Sequence, residues 1–194
     1  MPLAQRDDSQ RWTYADYLTW PDEQRWEIID GVAYAMSPAP TTIHQRIIRK
    51  LATRINAHLE GKKCELFWAP FDVRLADSAA VSDNYVETVV QPDIVVICDN
   101  NKLDERGCNG APDLIIEITS PSTGKNDLTV KFELYQRHGV KEYWIVLPAE
   151  QTVLVFKLGE DMVYGTPARY AVGHKIAVPL LDDLVVDLAD VFAE

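Results

Sequence analysis

Residues 41–60 place Ile43, Ile47, Ile48, Leu51, Ile55 and Leu59 on one stripe at helical spacing, which predicts a long amphipathic helix ended by Gly61. Two shorter stretches have another signature. DIVVI (93–97) and DLIIEIT (113–119) are continuous β-branched and leucine runs, as in strands covered on both faces. EYWIVL (142–147) supplies a further buried strand, and residues 123–138 read as a helix that ends at Gly139. Near the start, Thr13 and Asp16 have the spacing of a capping box opening TYADYLTW, which Pro21 stops. RWEIIDGVAYAM predicts a hairpin turning at Asp30-Gly31.

CELFWAPFDVRLA reads as one strand bent at Pro70, residues 76–90 as a polar loop, and DNNKLDERGCNGA (99–111) as loop. From Ala149 onward short strands and turns alternate (TVLVFKL, MVY, KIAVP, LVVDL), closing the sheet with an antiparallel extension. The expected class is α/β (α+β), a central mixed sheet flanked by helices. A chain of 194 residues suits a single domain, 1–194, with residues 149–194 as its β-rich extension.

Composition narrows the setting. No apolar run reaches the roughly 18 residues that span a bilayer, and the N-terminus has no apolar signal core, so no membrane association is expected. Cys64, Cys98 and Cys108 are odd in number and form no CxxC pair, which predicts reduced thiols in a cytoplasm and no structural zinc. The net charge of −11 counts against nonspecific coating of nucleic acid. The charge is uneven, however. Residues 41–63 hold Arg46, Arg49, Lys50, Arg54, Lys62 and Lys63 against Glu60 alone, so a locally basic helix could meet a phosphate backbone or simply face solvent.

Four charged residues stand where the pattern expects core: Glu27 in the first hairpin strand, Asp93 opening its strand, Glu117 in mid-strand, and Lys131 on the 123–138 helix. At about 100° per residue, Asp127 and Lys131 fall between Val130/Leu134 and Tyr135 on the face turned to the sheet. Carboxylates at neighbouring strand ends suit Mg²⁺ (or Mn²⁺), which takes one or two carboxylates and fills its octahedron with water and substrate oxygens. Such an ion lowers the pKa of a bound water, and Lys131 could orient that water or stabilise developing negative charge. A buried Glu117–Lys131 ion pair would explain either residue alone; the cluster of four favours a site. His44, in the middle of the apolar stripe, reads as a core histidine or as a partner of Glu27 or the metal water. Gln45 beside it could reach substrate. No GxSxG elbow, GxxxxGK[ST] loop, GxGxxG or HExxH is present, so no organic cofactor is expected.

The order Glu27, Pro92-Asp93, Glu117 on the next strand, then a lysine-bearing helix resembles the PD-(D/E)XK nuclease superfamily. More closely, RWEIIDGVAYAMSPAPTTIHQRI, QPDIVVI, GAPDLIIEITSPST and DLTVKFELYQRHGVKEYWIVLP resemble the Uma-type family of restriction endonucleases over most of residues 12–148. The resemblance implies a restriction endonuclease-like core, with Asp93, Glu117 and the backbone carbonyl of Ile118 as metal ligands and Glu27 as an additional acid. Asp113, of the later Pro-Asp, shares Glu117's strand and lies about 13 Å from it at ~3.3 Å per residue, too far for one ion. Two positions depart from the pattern: Thr119 stands where the superfamily has lysine, and Leu147 where the family commonly has Asp.

The leading expectation is a Mg²⁺-dependent endonuclease hydrolysing DNA phosphodiesters through a metal-bound water, as a homodimer in the cytoplasm. Thr119 and the net acidity keep a rival open, an inactive nuclease-fold module that binds nucleic acid or a protein partner.

Overall fold

A computed structural model describes residues 10–21, 24–36, 41–76, 82–119 and 127–193. Helix α1 (Tyr14–Tyr17) opens with the expected capping box: Thr13 accepts from the Asp16 N–H and the Asp16 carboxylate accepts from the Thr13 N–H. Strands β1 (Trp26–Ile29) and β2 (Val32–Ala35) form the hairpin, turning through Asp30 and Gly31 at φ 49° and 75°. Helix α2 (Thr42–Leu59) is capped by Thr41. There follow β3 (Glu65–Trp68), β4 (Val73–Arg74), β5 (Val89–Val90), β6 (Ile94–Ile97), β7 (Leu103–Asp104), β8 (Gly107–Asn109) and β9 (Leu114–Ile118). A π-helical turn (Asp127–Lys131) leads into α3 (Phe132–Arg137). Strands β10 (Glu142–Leu147), β11 (Thr152–Lys157), β12 (Ala168–Ala171), β13 (Lys175–Val178) and β14 (Leu184–Asp187) precede α4 (Leu188–Phe192).

The main sheet is mixed, in the order β12-β11-β10-β9-β6-β3, with β9 and β10 parallel and its other pairs antiparallel. Its central strands divide their side chains between two cores, which accounts for their unbroken apolar runs. Ile94, Val96, Leu114, Ile116, Trp144 and Val146 meet the stripe of α2, where Ile47, Leu51 and Ile55 are fully buried and each contributes about 2 kcal/mol. Val95, Ile97, Ile115, Tyr143 and Ile145 point the other way, toward Leu134 and Tyr135 of α3. By this alternation Glu117 lies on the α3 side, while Asp93, just ahead of β6, contacts His44 of α2.

The structure departs from the expected elements in several places. CELFWAPFDVRLA is two strands, not one: after the cis Ala69-Pro70 bond the chain leaves β3 of the main sheet and enters β4 of a second six-stranded sheet, ordered β2-β1-β5-β4-β8-β7. The expected loops contain β5 and the β7–β8 hairpin, whose two- and three-residue strands are too short for a periodic signal. Strand β11 extends the main sheet as expected, whereas MVY (162–164) makes only an isolated bridge between Tyr164 and Leu158. The sheet continues instead through β12, which the pattern did not mark, and β13 and β14 form a separate hairpin. Ile43, assigned to the apolar stripe, is 45% exposed because α2's first turn projects past the core. The expected 123–138 helix is α-helical only at Phe132–Arg137, and residues 123–126 lie outside the described residues.

The cysteines are a further correction. Cys64 and Cys98 form a disulfide, and only Cys108 is a free thiol. The antiparallel register that pairs Glu65 with Ile97 brings Cys64 opposite Cys98 one step further on. Chain spacing gave no sign of this, and the expectation of three reduced thiols is overturned. Among the described residues, no helix is long and apolar enough to cross a membrane.

Candidate functional site

The site begins with the register of β6 and β9. Ile94 pairs with Ile116, so Asp93 faces Glu117 one step beyond the paired strands. Directly opposed residues in an antiparallel pair have Cβ atoms about 5 Å apart. The adjoining backbone fixes the aspartate, because the Ile118 N–H donates to Asp93 Oδ2 at 2.7 Å. His44, from the first turns of α2, meets the same oxygen at 3.0 Å through Nε2. It thus bonds Asp93, where sequence reasoning had offered Glu27 or a metal water. Its Nδ1 is buried and has no hydrogen-bond partner among the described residues.

Lys131 arrives from the opposite side of the cluster, at the end of the π turn. Its ammonium donates to Glu117 Oε1 at 2.9 Å and to Glu27 Oε1 at 3.0 Å. All three side chains are at least nine-tenths buried. Buried charges of this kind are tolerated only when paired and further hydrogen-bonded. Both carboxylates meet that condition. Tyr135, one turn beyond Lys131 on α3, donates its hydroxyl to Glu117 Oε1 at 2.8 Å. Burial, reinforced by the charges of Glu117 and Glu27, pushes the Tyr135 phenol well above its ordinary pKa, which keeps it a donor.

Glu27 is anchored through β5 and its continuation. The Gln91 N–H donates to Glu27 Oε1 at 2.9 Å. The Gln91 amide is itself held on three sides: Oε1 accepts from Arg25, while Nε2 donates to the Tyr17 hydroxyl and to Asp72 Oδ1. Tyr14 donates to the other Asp72 oxygen at 3.0 Å. Burial, with Asp72 adding to it, raises the phenol pKa of Tyr14 and pushes that of Tyr17 up to about 12.

The structure therefore brings Glu27, Glu117 and Lys131 into direct contact and sets Asp93 and His44 beside them. Gln45 is exposed on the first turn of α2, and the Asp127 side chain lies outside the described residues. Thr119, at the expected lysine position, is engaged in structure, with its N–H and its hydroxyl both donating to the Val146 carbonyl. Asp113 is likewise structural, accepting from the Cys98 N–H at 2.8 Å and from Lys141 at 2.6 Å. Sequence reasoning missed Gln91 and Tyr135 as site residues. Tyr135 stands four residues after Lys131, the spacing that stacks side chains on one helix face; Gln91 acts through its backbone and gave no signal.

Two buried carboxylates share one ammonium here, and Asp93 Oδ1 accepts no hydrogen bond among the described residues. No three His, Cys, Asp or Glu side chains among the described residues are grouped to hold a metal. The donor set nevertheless fits a hard divalent cation of the Mg²⁺ kind, which needs only one or two protein carboxylates.

Comparison with known proteins agrees with this architecture. A crystal structure described as "a putative nuclease belonging to DUF820" from Anabaena variabilis superimposes with a TM-score of 0.73 at 22% identity, covering 94% of this chain and 98% of that one. That likeness shows that the two chains share a fold. An uncharacterised protein of Synechocystis is 28% identical over 149 residues, 75% of this chain and 74% of its own length. The Uma2 family, described as "Putative restriction endonuclease", matches residues 14–189. With nearly the whole described fold inside that match, the chain belongs to the Uma2 family of restriction endonuclease-like proteins.

Proposed function

We propose that this protein is a divalent-metal-dependent endonuclease that hydrolyses DNA phosphodiester bonds at the cluster of Glu27, Asp93, Glu117 and Lys131. The observation that carries the reading is the lysine delivered from the helix. It meets Glu117 and Glu27 at 2.9 and 3.0 Å, so the amine that the superfamily takes from the strand is present although Thr119 stands there. Asp93 and Glu117 would hold Mg²⁺ or Mn²⁺, with the Ile118 carbonyl as a further ligand. When bound, the ion lowers the pKa of water and offsets charge on the phosphoryl transition state.

The remaining roles belong to the chain. His44 and the Ile118 N–H hold Asp93 through Oδ2, with Oδ1 accepting no hydrogen bond among the described residues. Lys131 is placed to orient the attacking water or to stabilise the charge that develops on the phosphoryl oxygens. Glu27 balances the lysine and, through Gln91, fixes its position. One observation favours the inactive-module alternative: the Lys131 ammonium is engaged by two buried carboxylates, and an ion pair so satisfied needs no substrate.

Cleavage of supercoiled, linear duplex and single-stranded DNA by wild type and Glu117→Ala, across Mg²⁺ and Mn²⁺, separates the two. The proposal expects metal-dependent cleavage by wild type and its loss in the variant. Absence of cleavage with every metal, or equal cleavage by both proteins, would refute it.

A further inference from the structure

We infer that Trp68, with Arg46 and Arg49, forms a landing surface for an unpaired nucleotide beside the cluster, so that the substrate presents a single-stranded or unstacked base next to the bond that is cut. The inference rests on the proposed nucleic-acid reading and names the form of the substrate.

Trp68 ends β3, the edge strand of the main sheet, and pairs with Ile94, the residue after Asp93. The next residue, Ala69, donates its N–H to the Asp93 carbonyl at 3.2 Å. The backbone of Trp68 therefore adjoins that of the proposed metal ligand, and the indole is 55% exposed and makes no aromatic contact among the described residues. Exposing an apolar ring of this size at the edge of a site gains nothing for folding. By strand alternation Trp68 shares its face with Leu66, which packs into the core under α2, so the indole emerges on the α2 side of the sheet.

Helix α2 runs back along β3. Its last turn connects through Gly61 to the start of the strand, and its first turns reach Asp93 through His44. Apart from Lys63, exposed beyond the far end of the helix, the basic residues of this region divide into two groups. Lys50 and Arg54 are bound to the C-terminal segment, at the Ala193 carbonyl and Asp190, and Lys62 is engaged by His58 and Asp182. Arg46 and Arg49, nearer the site, are exposed and have no hydrogen bond or ion pair among the described residues. At 100° per residue, Arg49 lies on the flank opposite Lys50 and Arg54, away from α4, and Arg46 on the outer face between Arg49 and Lys50. An uncovered indole next in the ladder to Asp93 and two uncommitted guanidiniums on the helix turns that carry His44 thus stand out on a chain of net charge −11. An aromatic platform beside phosphate-binding cations is the arrangement that holds single-stranded nucleic acid, because every base has a face to stack and every nucleotide a phosphate.

The test is fluorescence anisotropy with a short labelled thymidine oligonucleotide and with a blunt duplex, using wild type, Trp68→Ala, Trp68→Phe and the double variant Arg46→Gln/Arg49→Gln. Single-stranded DNA is expected to bind more tightly than the blunt duplex. Trp68→Ala should weaken that binding roughly 5- to 150-fold, and Trp68→Phe should retain most of it. The arginine variant should lower the slope of log K against log salt by about 1.4 for a single strand. No binding by wild type, unchanged binding by Trp68→Ala, or an unchanged salt slope overturns the inference. So does a shift from dimer to monomer in Trp68→Ala with nucleic-acid binding intact, which would assign the indole to a second copy of this chain. Cleavage that Glu117→Ala abolishes and Trp68→Ala leaves intact in rate and substrate preference would sink the landing surface alone. Trp68-dependent binding without cleavage by wild type would sink the hydrolytic reading alone.

Discussion

Replacing Lys131 by methionine removes the ammonium that Glu27 and Glu117 share while keeping a side chain of similar length. Unit charges about 4 Å apart attract by ~4 kcal/mol at an effective dielectric of about 20, and the native contacts are shorter than that. Two such attractions are lost, and the cost of desolvating the ammonium disappears with them. The balance for breaking a buried pair by removing one partner is about 3–5 kcal/mol of lost stability. Neither carboxylate is left bare, since Tyr135 still donates to Glu117 and the Gln91 N–H to Glu27. Urea unfolding reads the effect as a midpoint lowered by roughly 1.5–2.5 M for an m-value of about 2 kcal/mol/M. Adding Glu27→Gln removes one of the two stranded charges, so the double variant should be more stable than Lys131→Met alone, with a coupling of about 0.5–3 kcal/mol. A Lys131→Met protein within about 1 kcal/mol of wild type, or a double variant destabilised by the full sum of the two single changes, would refute this account of the cluster.

Other parts of the molecule give independent tests. Glu142 is a buried carboxylate bonded to Trp144 Nε1 at 2.7 Å, and burial raises its pKa against the opposing pull of that bond and of Lys157. A carboxyl group protonated more readily when folded than when unfolded costs stability once it ionises. Glu142→Gln, which can still accept from Trp144, should therefore be more stable by up to about 1 kcal/mol at neutral pH, and equal to wild type in urea melts below the carboxylate range. Titration with a thiol reagent should find no reactive group in the native oxidised protein, one after denaturation, and three after denaturation with reduction, because Cys108 is buried and the other two are bonded. Burial raises the phenols of Tyr14, Tyr17, Tyr135 and Tyr164 above 10. Their contribution to stability is complete below the unfolded value and lost as pH rises through the folded ones. Alkaline unfolding should accordingly begin above about pH 10, with tyrosinate absorbance rising together with loss of circular dichroism.

Much of this was written in side-chain pattern. The long stripe of α2, the continuous runs of β6, β9 and β10, the capping box at Thr13 and the Asp30-Gly31 turn are local signals, and each forms where expected. Glu27, Asp93, Glu117 and Lys131 stood out because each charge interrupts an apolar pattern. What was not legible depends on pairing between distant segments. The second sheet is assembled from strands as short as two residues, and the Cys64–Cys98 bond follows from the β3–β6 register. Backbone donors such as Gln91 and Ile118, which orient the carboxylates, have no side-chain signature. The π turn also lay beyond an argument that assumed a uniform helix.

The central claim is that Asp93 and Glu117, opposed across β6 and β9, together hold a divalent cation. Calorimetric titration of Mg²⁺ and Mn²⁺ into wild type, Asp93→Asn and Glu117→Gln tests it without requiring a substrate. The account predicts saturable binding to wild type that is lost or strongly weakened in both variants, while their folding, read by circular dichroism, is retained. Binding of equal strength to wild type and to folded Asp93→Asn would contradict it.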